Sequence, residues 1–199
     1  MKTKIMILLI TLIGCLHSKA EKYDDIYIDS ELSKRIKMAT NRLVIGKEPA
    51  ITEDFILACV TLEPQFDRRF TEFSGDQSGR YLSIFSKLKV ENNPINIKQL
   101  IYKIISTQKV DGRFGSDTLI FEASKLQGLH MALLWGNGRL LKGLMDYYET
   151  FKDPVVLKSA IRLGDFLNSI TESCIKPDVI ENFKNKGAMG YICLTQNTK

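Results

Sequence analysis

The chain of 199 residues is poor in the residues that build dedicated chemistry: four cysteines, two histidines and one tryptophan. The cysteines, Cys15, Cys59, Cys174 and Cys193, stand far apart with no CxxC pair. That spacing excludes a disulfide scaffold and the ligand pattern of a structural zinc site. Cys15 belongs to an N-terminal segment treated below. The other three read as buried, reduced residues that pack like small apolar groups. One disulfide among them is the alternative in an oxidising compartment. Apolar and polar residues do not alternate with a period of two over any stretch long enough to build a sheet. Val110–Phe114 and Thr118–Phe121 are at most short strands. There is no low-complexity tract and no interdomain linker. Nor is there an excess of basic charge to speak of. The net charge of +5 includes Lys2, Lys4 and Lys19, and without them 25 basic residues face 23 acidic ones. A nucleic-acid partner, which needs clustered Lys and Arg to displace counterions, is not expected.

What is present begins with a leader. Met1-Lys2-Thr3-Lys4 is basic, and Ile5–Ile13 is an apolar run too short to cross a bilayer. Residues 1–20 therefore read as a secretory signal. Ser18-Lys19-Ala20 offers small residues to a signal peptidase, whereas Leu12-Ile13-Gly14-Cys15 resembles a bacterial lipobox with Cys15 as the lipidated residue. The first places the protein in the periplasm or outside the cell. The second anchors it in the bacterial envelope, and that lipid would be its sole membrane attachment.

Residues 21–199 read as one helical domain, and the apolar fraction of 44% is enough for a core. A short helix around Leu32, Ile36 and Met38 is expected, then one opening at Thr52 and stopped by Pro64. Gly79–Val90 is helical, with Tyr81, Leu82, Phe85 and Leu88 on one face. Ile97, Leu100, Ile101, Ile104 and Ile105 repeat at i, i+3, i+4, i+7 and i+8, a half-buried helix that ends near Gln108. Ser116–Gly128 fits no pattern. Arg139–Phe151 is helical along a stripe of Leu140, Leu141, Leu144, Met145 and Tyr148. After Lys152-Asp153-Pro154 comes a helix carrying Val156, Ala160, Leu163, Leu167 and Ile170, and so tight a turn requires an antiparallel αα-hairpin. Lys176-Pro177-Asp178 opens a further short helix. The repeat of helix, Gly- or Pro-bearing loop and helix has a period of about 50 residues, and such repeats need stacked neighbours to cover their apolar stripes.

Three blocks stand in order: Ser74-Gly75-Asp76-Gln77-Ser78-Gly79-Arg80-Tyr81-Leu82, then Gln108-Lys109-Val110-Asp111-Gly112-Arg113-Phe114-Gly115, then Trp135-Gly136-Asn137-Gly138-Arg139 running into Leu140–Glu149. The first and third read as polar loops preceding helices. In this order the blocks resemble the catalytic domain of glycoside hydrolase family 127, the β-L-arabinofuranosidase-like enzymes, over roughly residues 30 to 197. The resemblance implies an all-α fold, here about the first half of an (α/α)6 barrel of helical hairpins, with carbohydrate held by loops at one mouth. It implies a retaining hydrolysis of furanosides through a cysteine thiolate beside a zinc ion. The family's zinc ligands, cysteines and a glutamate, would lie beyond Lys199, so no cofactor and no catalytic residue is carried over to this chain. The expectation is an N-terminal fragment of a secreted glycoside hydrolase, inactive alone. The alternatives are a non-catalytic glycan-binding or helical interaction module, or a lyase or epimerase on the same scaffold that would use Tyr81, Arg113 and His130.

Candidate carbohydrate-binding residues follow from the blocks. Asp76 and Gln77 would bond sugar hydroxyls, or Asp76 would cap the helix. Arg80 would pair with a nearby acid. Gln108 and Asp111 flank the Gly-bearing loop, where Asp is also an ordinary turn residue. Phe114 would stack on a sugar or pack in the core. His130, the one histidine outside the leader, would bind substrate or pack. Trp135 and Asn137 offer a flat apolar face beside an amide. Tyr147 and Tyr148 read as packing residues, and Asp146 and Glu149 as solvated.

Overall fold

The computed structural model describes residues 31–44, 51–64, 72–88, 95–122, 125–174, 176–178 and 181. The leader with Cys15, as well as Cys193, lies outside these residues, as does most of the helix expected after Lys176. Among the described residues the chain is helical, without strands: α1 (Glu31–Val44), α2 (Glu53–Thr61), α3 (Asp76–Lys87), α4 (Ile97–Ser106), α5 (Gly128–Phe151) and α6 (Pro154–Cys174). Two compact units divide at Ala39 and Thr40, within α1. The first ends in the exposed turns of α1, which show Leu32, Ile36 and Met38 to solvent. The second holds the core.

Local chemistry explains most helix ends. Thr52 Oγ1 accepts the backbone N–H of Phe55 at 3.1 Å, and Asn96 Oδ1 accepts that of Gln99 at 3.0 Å. Each such cap satisfies an otherwise unpaired amide and is worth about 1 kcal/mol. Asp76 is not a cap. It is the first residue of α3, and Gly75, at φ +90°, precedes it. The carbonyls near the end of α2 are taken up by the incoming α3 corner. Ser74 Oγ donates to Val60 O, Gly75 N to Cys59 O at 2.9 Å, and Ser78 Oγ to Ile56 O at 2.6 Å.

The two apolar periodicities face the core as expected. Leu100, Ile101 and Ile104 of α4 are buried, with Ile97 and Ile105 half-buried beside them. On α6, Val156, Ala160, Leu163, Leu167 and Ile170 are all buried. Burying one such side chain contributes about 1.5–3 kcal/mol. Helices α5 and α6 pack together across the two-residue turn Lys152-Asp153, the antiparallel hairpin that the turn requires. Asp153 Oδ1 accepts the N–H of Val155 at 2.9 Å, which starts α6.

Two expectations are corrected. The Trp135–Gly138 stretch is not a loop before a helix. It lies inside α5, which begins at Gly128. Gly136 serves close packing, as does Gly79 on α3. A Cβ on Gly136 would run into the carbonyl oxygen of Ser74, and one on Gly79 into that of Arg139. The buried stripe of α5 is also turned by one position: Leu140, Gly143, Leu144 and Tyr147 are buried, while Leu141, Met145 and Tyr148 are half-buried. Glycines at the contact carry no hydropathy signal, so the pattern of large residues misplaces the face.

Candidate functional site

The α3–α5 crossing builds the richest polar cluster. Asp76, only 3% exposed, accepts Trp135 Nε1–H at 3.0 Å and Arg80 Nη2–H at 3.2 Å through Oδ1. Arg139 Nε lies 3.9 Å from the same oxygen, and its guanidinium stands 5.5 Å from the centre of the Trp135 ring. The indole is half-buried, and both guanidinium groups reach solvent. Gln77 is half-buried next to Asp76, and its Oε1 accepts the Cys59 thiol at 3.7 Å. Cys59 itself is buried, reduced and packed in the core, as expected for that residue. This corner therefore brings together four sequence candidates, Asp76, Gln77, Arg80 and Trp135. Backbone placement makes it possible: the absence of side chains at Gly75, Gly79 and Gly136 lets α3 and α5 approach until their polar ends share one carboxylate.

The remaining candidates fall elsewhere and are engaged internally. Asn137 is fully enclosed. Its Oδ1 accepts Phe114 N at 2.9 Å, and its Nδ2 donates to Ser74 O and Phe114 O at 3.2 Å each. Phe114 is likewise inaccessible and belongs to the core. Gln108 staples its loop to α6: Nε2 donates to Gly112 O at 2.7 Å and Ser159 O at 3.0 Å, and Oε1 accepts Ser159 Oγ at 2.9 Å and Arg162 Nη1 at 3.2 Å. Asp111, exposed, pairs with Arg113. Arg113 in turn lies 5.1 Å from the centres of both the Phe121 and Phe166 rings.

His130 closes the start of α5. Its Nδ1 accepts Gln127 N–H at 3.1 Å, so Nε2 carries the proton and donates to Ile120 O at 3.0 Å. Burial lowers its pKa, against the Ile120 carbonyl, and the nearby Arg113 lowers it further. Tyr81, on α3, packs against Phe55 and Phe85, and burial raises its phenol pKa. Arg113 and His130 meet at the Phe121 ring, whereas the rings around Tyr81 are Phe55 and Phe85.

Sequence reading overlooked a second row of polar groups. Asp146, taken as solvated, is 2% exposed. Its Oδ1 bonds both Lys142 Nζ and, at 2.9 Å, Lys87 Nζ. Burial works to raise its pKa, but hydrogen bonds from Lys142, Ser83 and Lys87 outweigh it and hold the carboxyl below its ordinary value. The i, i+4 spacing of Lys142 and Asp146 was a legible signal. The approach of Lys87 from another helix was not. Arg80, Ser83, Lys87, Arg139, Lys142 and Asp146 line an open groove of 580 Å³ between α3 and α5, together with the apolar Ile84 and Leu88.

Among the described residues no three His, Cys, Asp or Glu side chains converge as metal ligands. No described helix is long and apolar enough to cross a membrane. Comparison with family models, curated proteins and solved structures finds no match to this chain.

Proposed function

We propose that this chain is the sugar-holding part of a glycoside hydrolase-like helical domain, related to the β-L-arabinofuranosidase-like enzymes, with its helices forming part of an (α/α)6 barrel. One observation carries the reading: a half-buried indole is held by its N–H on a buried carboxylate that also binds the solvent-reaching Arg80, and the Arg139 guanidinium lies over the ring. A flat apolar ring beside fixed donors is what a sugar ring requires, since its C–H face stacks while its hydroxyls seek partners. Binding suits the corner better than bond cleavage does. A retaining site needs a nucleophile and an acid/base flanking one bond. Asp146, held ionised, cannot donate a proton at neutral pH. Secretion, or lipid anchoring through Cys15, belongs to the same proposal.

Trp135 is the only tryptophan, so its emission reports on the corner directly. Titration of the purified chain with arabinofuranosyl oligosaccharides is expected to give a saturable change in emission, and aryl arabinofuranosides are expected to stay intact. A flat titration across a panel of neutral furanosides and pyranosides would remove the carbohydrate reading. Turnover of the aryl glycoside would show that the chain is itself catalytic.

A further inference from the structure

From the charge arrangement along the α3–α5 groove we infer that the carbohydrate is anionic, with a carboxylate or sulfate seated beside Lys87, Lys142, Arg80 and Arg139. The inference rests on the carbohydrate reading above and names the class of sugar.

The rows that line the groove are in matching register. Arg80, Ser83 and Lys87 stand at i, i+3 and i+7 of α3, and Arg139, Lys142 and Asp146 at i, i+3 and i+7 of α5. Both sets therefore lie along one side of their helix, and the glycine contact sets them side by side. Charge is layered by depth. The side chains of Asp76 and Asp146, taken alone, are 4% and 3% exposed, whereas the four cationic side chains are between 47% and 61% exposed. Each buried carboxylate holds two cations, Arg80 and Arg139 on Asp76, Lys87 and Lys142 on Asp146. Among the described residues, one positive charge per pair is left without a counter-charge at contact distance. Glu149, which acts on Lys87 from one turn further along α5, is the acid that partly offsets this at the far end.

The cations are thus anchored from below with N–H donors left for solvent. An anion arriving from above completes their coordination without breaking the pairs beneath. The groove's volume falls within the range of small-ligand sites, and the apolar side chains of Ile84 and Leu88 in its lining suit an apolar sugar face. Arg139 ties it to the indole, since one guanidinium faces both the Trp135 ring and the groove. That continuity favours an acidic sugar residue adjoining the one stacked on Trp135, rather than an acidic peptide or an anionic membrane surface.

The test uses the full chain at 20 mM salt with four probes: trigalacturonate, its carboxyl-reduced neutral trisaccharide, a polyglutamate peptide, and phosphatidylserine vesicles. Trigalacturonate is expected to bind about tenfold more tightly than the neutral form, and the advantage is expected to shrink at 300 mM salt. Inorganic sulfate should compete with it. Lys142→Gln, which leaves Lys87 on Asp146, should reduce the advantage to about threefold or less, and Lys142→Arg should restore it. Should the Gln variant melt early, Arg80→Gln, which leaves Arg139 beside Asp76, provides the same readout. Equal binding of the two trisaccharides would overturn the anionic assignment and leave the carbohydrate reading standing. Binding of polyglutamate or of the vesicles with neither trisaccharide bound would overturn both.

Discussion

Gly79 and Gly143 face each other across the α3–α5 crossing, and a Cβ on Gly143 would lie 2.6 Å from the carbonyl oxygen of Gly79. Two backbones in direct contact leave no room for a side chain on either. This approach sets the spacing of everything that flanks it, including the Asp76 corner on one side and the Asp146 groove beside it.

Gly79→Ala is therefore expected to destabilise the protein by about 3 kcal/mol, because its Cβ meets backbone of Arg139 that cannot turn away. Gly164→Ala on α6 is the control. Nothing lies within 4 Å of the Cβ it would add, and a helical Gly→Ala change there should stabilise by about 0.5–1 kcal/mol. Urea unfolding of the two variants checks both signs.

Asn137→Ala should cost about 2–4 kcal/mol. It strands the Phe114 amide and two carbonyls in a dry interior that joins the Ser74 corner, the 108–115 loop and α5. Asn137→Asp should be comparably harmful, since it sets a carboxylate oxygen against those two carbonyls. Thermal melts should show both losses.

His130 links stability to pH. Its folded-state pKa lies below the ordinary value of 6.5, so its contribution is complete above that value and is lost as pH falls through the lower folded-state pKa. Burial disfavours the charged ring and Arg113 repels it, and protonation at Nδ1 also removes the acceptor of Gln127 N–H. Between pH 7.5 and 5 the wild-type melting temperature should fall more than that of His130→Gln. Equal falls would show that this nitrogen does not control the cap.

Asp146 acts lower on the pH scale. A carboxyl held below 3.8 contributes stability that is present above that value and lost as pH falls through its folded-state pKa. Asp146→Asn should be less stable at pH 6 and should show a shallower decline in stability between pH 4 and 2. Melting curves across that range decide it.

Trp135→Ala is expected to weaken oligosaccharide binding by about tenfold, and Trp135→Phe, which keeps a ring but loses the N–H held by Asp76, by about threefold. Calorimetric titration replaces fluorescence in these variants.

The candidate site was only partly legible. Asp76, Gln77, Arg80 and Trp135 came together, although 59 residues separate the indole from the carboxylate it bonds. The pairing of Arg80 with a nearby acid was readable because both sit one turn apart on α3. Asn137 and Gln108 looked like loop groups open to a ligand. They are instead the staples that hold those segments down, and no local pattern distinguishes a polar side chain facing solvent from one facing a backbone carbonyl.

By itself the sequence determined the all-helical character, the core faces of α4 and α6, and the reversal at Lys152-Asp153, because apolar periodicity and turn chemistry act among near neighbours. Only the tertiary structure decided that Trp135–Gly138 continues a helix, that Asp146 is buried under two lysines, and that the cations of α3 and α5 share one groove. Those outcomes depend on which distant backbone fills the space beside a glycine, and a residue without a side chain carries no record of its neighbour.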